Sequence, residues 1–178
     1  MPYVPPHMRG ITPTPTPHDR YKAIVVPKIG NNFVVFRYTG TKNLTFPGGG
    51  CGFGKNLRNC ALKELREESK NSITAKKSNL KNFFYFSNKN RSKSELKNNR
   101  EKRINVTMHY YGYLLNLKNN FDNIKQRYNS FNINNVPNRN KKAYSETNCV
   151  KLKTRGDLEG RLWMGKKIIP HLKGPGNL

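Results

Sequence analysis

The chain has 178 residues, of which 34% are apolar, enough for one modest globular core and short for two. Its 34 Lys and Arg against 10 Asp and Glu give a formal charge of +24, a field that gathers polyanions by counterion release and makes nucleic acid the first partner to consider. Three cysteines without Cys-x-x-Cys spacing argue against a zinc site or disulfide framework, and no apolar run approaches the roughly 20 residues of a membrane span, so reduced thiols in a soluble, cytoplasmic chain are expected.

Residues 1–19 hold most of the prolines and no apolar periodicity, which predicts a disordered tail ahead of a domain covering 20–178. "YKAIVVPKI" and "NFVVFRY", separated by Gly30 and Asn31, predict a β-hairpin. The glycine-rich "FPGGGCGFG" reads as loop. A helix follows from about Asn56 to Ser69, with Leu57, Ala61 and Leu65 at i, i+4, i+8. "LKNFFYFS" and "NVTMHYYGYLLNL" predict two more strands, joined by a basic polar loop at about 88–103. A second polar insertion, at about 118–142, contains Pro137 and is expected to hold at most one short helical piece. "AYSETNCVKLK" and then "GRLWMGKKIIPHL" complete the chain, the latter as a helix ending near Pro170. The order predicts an α/β fold with helices covering a mixed sheet.

One helix is anomalous in sign. With Leu57 at zero and about 100° per residue, Ala61 and Leu65 fall near 40° and 80°, while Glu64 and Glu68 fall near −20° and 20°. Two acids therefore share the core-facing side, with Glu67 at its edge, and Asn59, Lys63, Arg66 and Lys70 take the solvent side. Acids at i, i+3 and i+4 repel, and burial enlarges the cost. Either Lys and Arg pair with them, or they hold a hard divalent cation such as Mg²⁺ or Mn²⁺. Gly48, Gly49 and Gly50, just before the helix, would allow a ligand to approach the backbone closely.

The stretch from Gly49 through "KELREES" resembles the Nudix hydrolase signature G-x5-E-x7-R-E-U-x-E-E-x-G-U, in which U is aliphatic. Gly49, Glu64, Leu65, Glu67 and Glu68 match, and Pro47 and Gly48 fit the usual lead-in. Lys55, Lys63 and Lys70 stand where the signature has Glu, Arg and Gly. Lys63 keeps the charge without the bidentate fork. The resemblance implies an α/β/α sandwich and cation-dependent cleavage of a diphosphate linkage. It also implies Glu64, Glu67 and Glu68 as metal ligands, Glu67 and Glu68 as catalytic, and Gly48, Gly49 and Lys63 beside the substrate. Family members commonly add a carboxylate from a later segment. Glu146 is the candidate for that extra ligand or base, against the alternative of an exposed strand Glu.

Lys89, Arg91, Lys93, Lys97, Arg100, Lys102 and Arg103 would form an electrostatic track for a large anionic substrate. The A/T-biased composition, the missing terminal Gly and the basic insertions are together similar to the mRNA-decapping Nudix enzymes of large cytoplasmic DNA viruses. That similarity implies release of methylated GDP from capped RNA in a host cytoplasm, with packaging in a virion as a further implication. "YVPPHMR" resembles an N-terminal element of translation-linked DEAD-box helicases, where a Tyr and an aliphatic residue five positions on engage the cap-binding initiation factor. Tyr3 and Met8 have that spacing. Two alternatives stay open: a hydrolase of diphosphoinositol or dinucleoside polyphosphates, and a Nudix-fold RNA-binding protein with little or no catalysis.

Overall fold

The computed structural model describes residues 18–52, 54–97 and 100–172, with side chains described outside 90–103. The Tyr3 and Met8 element lies outside the described residues. Seven strands, β1 (Asp19–Ile29), β2 (Asn32–Tyr38), β3 (Leu44–Thr45), β4 (Gly48–Cys51), β5 (Lys81–Lys97), β6 (Arg100–Asn116) and β7 (Thr147–Lys153), form one mixed sheet. Its spine runs β3-β2-β1-β6-β5, with β4 added on β1 and β7 on β2. β1 and β6 pair in parallel from Asp19 with Thr107 to Lys28 with Asn116, and the other pairings are antiparallel.

Alternation along β1 and β2 divides the core. Ala23, Val25, Val34 and Phe36 face the layer made by α1 (Leu57–Glu68) and α2 (Phe121–Asn129). Ile24, Val26, Phe33 and Val35 face Leu158, Leu162, Ile168 and Leu172 of the C-terminal segment. Both faces of the sheet are therefore covered, giving the α/β/α sandwich expected of near-continuous apolar strands.

Several elements differ from the sequence expectation. The glycine stretch is not all loop, because Gly48 to Cys51 pair with Ile24 to Tyr21. Residues 88–97 and 100–103 are not loop: β5 and β6 stay paired through them, with Arg91 opposite Val106 and Lys97 opposite Arg100. An extended backbone pairs its own polar groups in the ladder, which side-chain polarity does not reveal. The 118–142 stretch is more than an insertion, since α2 buries Ile124 and Tyr128 against the sheet. The expected C-terminal helix at 160–172 is reduced to α5 (Gly165–Ile168) and a 3₁₀ turn at Ile169–His171, preceded by Met164 at a left-handed φ of 54°, and a short helix α4 (Arg155–Leu158) lies before that stretch. A short helix α3 (Lys141–Tyr144) precedes β7.

The thiols also depart from expectation: Cys51 and Cys60 form a disulfide, and Cys149 is free. Nine residues apart in sequence, they tie the end of β4 to the first turns of α1. Spacing hid this pair because the β4-to-α1 turn, not a short motif, brings the two sulfurs together. No helix among the described residues is long and apolar enough to cross a membrane.

Candidate metal centre

Helix α1 starts on Asn56, whose side chain accepts from the Asn59 N–H at 3.1 Å, an ordinary N-cap. Ala61, Leu65 and Glu68 are its buried residues, so a carboxylate occupies a place on the apolar stripe. The helix stops on two left-handed residues, Lys70 (φ 53°) and Asn71 (φ 60°), whose N–H groups donate to Glu67 O and Arg66 O. Lys70 thus adopts the conformation for which the signature supplies Gly. Its Nζ sits 5.0 Å from the centre of the Tyr128 ring, a cation–π contact that offsets part of the strain.

Glu64, Glu68 and Glu146 come together, each offering an oxygen within 4.8 Å of the others. Glu146 is carried in on the segment before β7, where its backbone oxygen accepts from Thr39 N at 2.8 Å and Ser145 O accepts from Thr39 Oγ1 at 2.9 Å. Those bonds fix an exposed residue beside a buried one. Glu67 lies outside this group of three; it is half-buried on the same helix.

Gly49 explains the coupling of glycine strand and helix. A Cβ built there would lie 2.2 Å from Glu64 Cδ and 2.4 and 2.5 Å from its oxygens. The Glu64 carboxyl therefore occupies the space that a side chain at 49 would fill. Gly48 serves differently from expectation: it is buried, and its missing Cβ allows contact with Ala23 O and Ile24, so it packs β4 on β1 rather than facing a ligand. Gly50 is exposed with open space above it.

Glu68 is 1% exposed. Its Oε1 accepts from Tyr38 Oη at 3.1 Å, and its backbone oxygen accepts from Thr147 Oγ1 at 2.7 Å. Its Oε2 is buried and has no hydrogen-bond partner. Among the described residues, no Lys or Arg forms an ion pair with Glu64, Glu67, Glu68 or Glu146, so ion pairing does not offset the acids there. Burial, reinforced by Glu64, pushes Glu68 up to about 9. Burial, then Glu67 and Glu146, pushes Glu64 up to about 7, with Lys63 and Lys22 pulling the other way. Glu67 is raised by burial and held back by Lys63 and Arg66. Burial and the neighbouring Glu68 raise the Tyr38 phenol, which stays a donor.

Two unit charges at 4.8 Å repel by about 3.5 kcal/mol at an effective dielectric of 20, so the acids keep protons or need a counter-ion. The donor set fits a hard cation. It is all carboxylate oxygen, held on a helix and a tethered segment, with one oxygen left unpartnered.

Lys63 is exposed beside Glu67, and Lys55 is exposed in the β4-to-α1 turn. Lys89 is exposed on β5, while Arg91, Arg100 and Arg103 take positions on the β5–β6 hairpin. Tyr110, Tyr111 and Tyr113 are core residues at 3%, 3% and 0% exposure. Tyr38, Thr147 and Lys22 were missed by the sequence reading. Lys22 faces Gly50 across the ladder, acts on both Glu64 and Glu68, and lies 4.2 Å from the half-buried Trp163 ring. Lys22 and Lys28 both border the apolar run of β1, so the sequence did not single out Lys22, and nothing marked Tyr38 or Thr147.

Comparison with protein-family models and with curated proteins gives no match. Among solved structures, the chain is similar to a C. elegans Ap4A hydrolase at 15% identity and a TM-score of 0.46, covering 83% of this chain and 90% of that one. It is similar to a MutT NUDIX hydrolase from Burkholderia pseudomallei at 9% identity and a TM-score of 0.47, covering 87% and 98%. A MutT/nudix family protein from Enterococcus faecalis aligns at 14% identity and a TM-score of 0.41, over 62% of this chain and 40% of its own length.

Proposed function

We propose that this chain is a divalent-cation-dependent hydrolase of the Nudix type that cleaves a phosphoric anhydride linkage, with capped mRNA as its substrate. The observation that carries the hydrolase reading is Glu68: a buried carboxylate with one unpartnered oxygen, gathered with Glu64 and Glu146 and without a basic partner among the described residues. Glu64, Glu68 and Glu146 would hold Mg²⁺ or Mn²⁺. A bound cation of this kind neutralises charge on phosphoryl oxygens and makes a coordinated water more acidic.

The chain's own groups have separable tasks. Tyr38 fixes one oxygen of Glu68 and leaves the other for the ligand. Gly49 leaves room for the Glu64 carboxyl against β4. Glu67, half-buried beside Lys63, would accept a proton from an attacking water. Lys22 brings positive charge to the β4 side, where a substrate phosphate would lie.

The choice of capped RNA is supported by the +24 charge, far more than a small nucleotide requires, and by the "YVPPHMR" element, through which a cap-binding initiation factor would bring the enzyme to messages. Lys55, in place of a signature acid and exposed, favours a second reading as an RNA-binding module without turnover. Incubation with cap-labelled RNA, uncapped RNA, diphosphoinositol phosphates and dinucleoside polyphosphates, with Mg²⁺ or Mn²⁺, separates these. Release of methylated GDP, abolished in Glu67→Gln and Glu68→Gln, supports decapping. Turnover of only the small substrates moves the assignment to them, and RNA binding without any turnover establishes the second reading.

A further inference from the structure

Arg37 is next to Tyr38 on β2, and by strand alternation it belongs to the face of Phe33 and Val35, opposite the face that packs on α1. A cavity of about 280 Å³ opens on that side, where β2, β3 and β7 meet Gly160 and Arg161. Arg37, Lys42, Lys151, Lys153 and Arg161 line it around Leu44, and no acid is among its lining residues. The ladder assembles them. Lys151 and Lys153 lie opposite Val35 and Phe33. Arg37 pairs with Leu44, and the Leu44 N–H donates to Arg161 O at 2.8 Å.

Five cations brought together repel one another, a cost that charge of the opposite sign must offset. Asp157, the acid whose charge reaches Lys153 and Arg161, is held mainly by Thr154. Its Oδ2 accepts from Thr154 N and its N–H donates to Thr154 Oγ1, both at 3.2 Å, capping α4. Arg37 Nε is buried and has no hydrogen-bond partner among the described residues. A buried donor without an acceptor is costly, more so when charged, and an anionic acceptor would offset that cost. Guanidinium forks at Arg37 and Arg161 suit a tetrahedral oxyanion, with lysines as point charges around it. The volume, just below the ~300–1,000 Å³ of whole-ligand pockets, suits a phosphate group or two rather than an entire nucleotide.

We propose that this pocket is a second anion site, separate from the carboxylate cluster, that holds phosphate groups. It requires neither a bound cation nor hydrolysis, so it stands or falls apart from the catalytic reading. The test uses the full chain in chelator, with a fluorescent uncapped RNA oligonucleotide in one arm and inorganic tripolyphosphate, read by thermal shift, in the other. Lys151→Ala with Arg161→Ala is compared with Lys118→Ala with Lys125→Ala, an equal charge loss at exposed positions elsewhere. Lys151→Arg with Arg161→Lys checks that the pocket tolerates substitution.

The pocket pair is expected to weaken binding at least about tenfold. It should also make the log–log salt dependence for RNA shallower by about 1.4, two contacts at ~0.7 each. The charge-retaining pair should keep binding. Loss in the RNA arm identifies chain phosphates as the occupant, and loss confined to tripolyphosphate identifies a free polyphosphate. Losses no greater than those of the control pair in both arms would overturn the proposal.

Discussion

Replacing Glu68 with Gln should separate what the site costs from what it does. Glu68 is 1% exposed and held up to about 9, against an ordinary carboxyl value of 4.5. Between those values the native chain keeps a proton that the unfolded chain releases. Stability in chelator therefore falls as pH rises, by at most about 1.4 kcal/mol per pH unit through this residue, and levels off above its folded value. Gln preserves the acceptor for Tyr38 and cannot ionise. Chemical denaturation in EDTA from pH 5 to 9 should show Glu68→Gln with the shallower slope, matching wild type near pH 5 and more stable at pH 9. Added Mg²⁺ should reverse the order, because a ligand that binds only the folded state adds about 2.7 kcal/mol at a hundred times its Kd, and the variant has lost one of the donor carboxylates. Equal slopes for the two proteins, or a wild type that gains stability with pH in chelator, would refute the reasoning.

Gly49→Ala should abolish hydrolysis and the Mg²⁺-dependent thermal shift, since its methyl falls on the Glu64 carboxyl, whereas Gly50→Ala, with open space above it, should leave both within about twofold of wild type; parallel melts and turnover assays decide. Cys60→Ser removes the tie between β4 and α1. By the loop-entropy relation for a nine-residue separation it should cost about 2.7 kcal/mol, measured by denaturation against wild type with and without reductant. Lys70→Gly should be more stable than Lys70→Ala by about 1 kcal/mol, because both lose the Tyr128 contact and only Ala bears the strain of a φ of 53°. Equal stability of the pair would mean that residue 70 is not held left-handed in solution.

The acidic helix was legible because its information is local. The 3.6-residue repeat places Glu64 and Glu68 with Ala61 and Leu65 whatever packs against them, and burial of Glu68 follows from that phase. Glu146 could be named from its chain position, but its approach depends on bonds to Thr39 across more than a hundred residues. The pairing of residues 88–97 and 100–103 was missed, and the one short helical piece allowed within 118–142 was not expected to join the core, because polar and Asn-rich composition weakens local signals that ladder pairing and core contact override. The disulfide and the basic pocket were missed for a shared reason: each joins residues whose proximity is set by the turns and ladders between them.

The sequence by itself determined the excess of positive charge, the alternation that covers the sheet on both faces, and a carboxylate pair turned toward the core. Those follow from residue type and helical or strand period alone. Only the tertiary structure decided which acid completes the cluster, which oxygen of Glu68 is left without a partner, why position 49 bears no side chain, and where five cations converge on the opposite face of β2. Each of these is a relation between distant segments, set by sheet register and packing, for which a period of two or 3.6 residues carries no information.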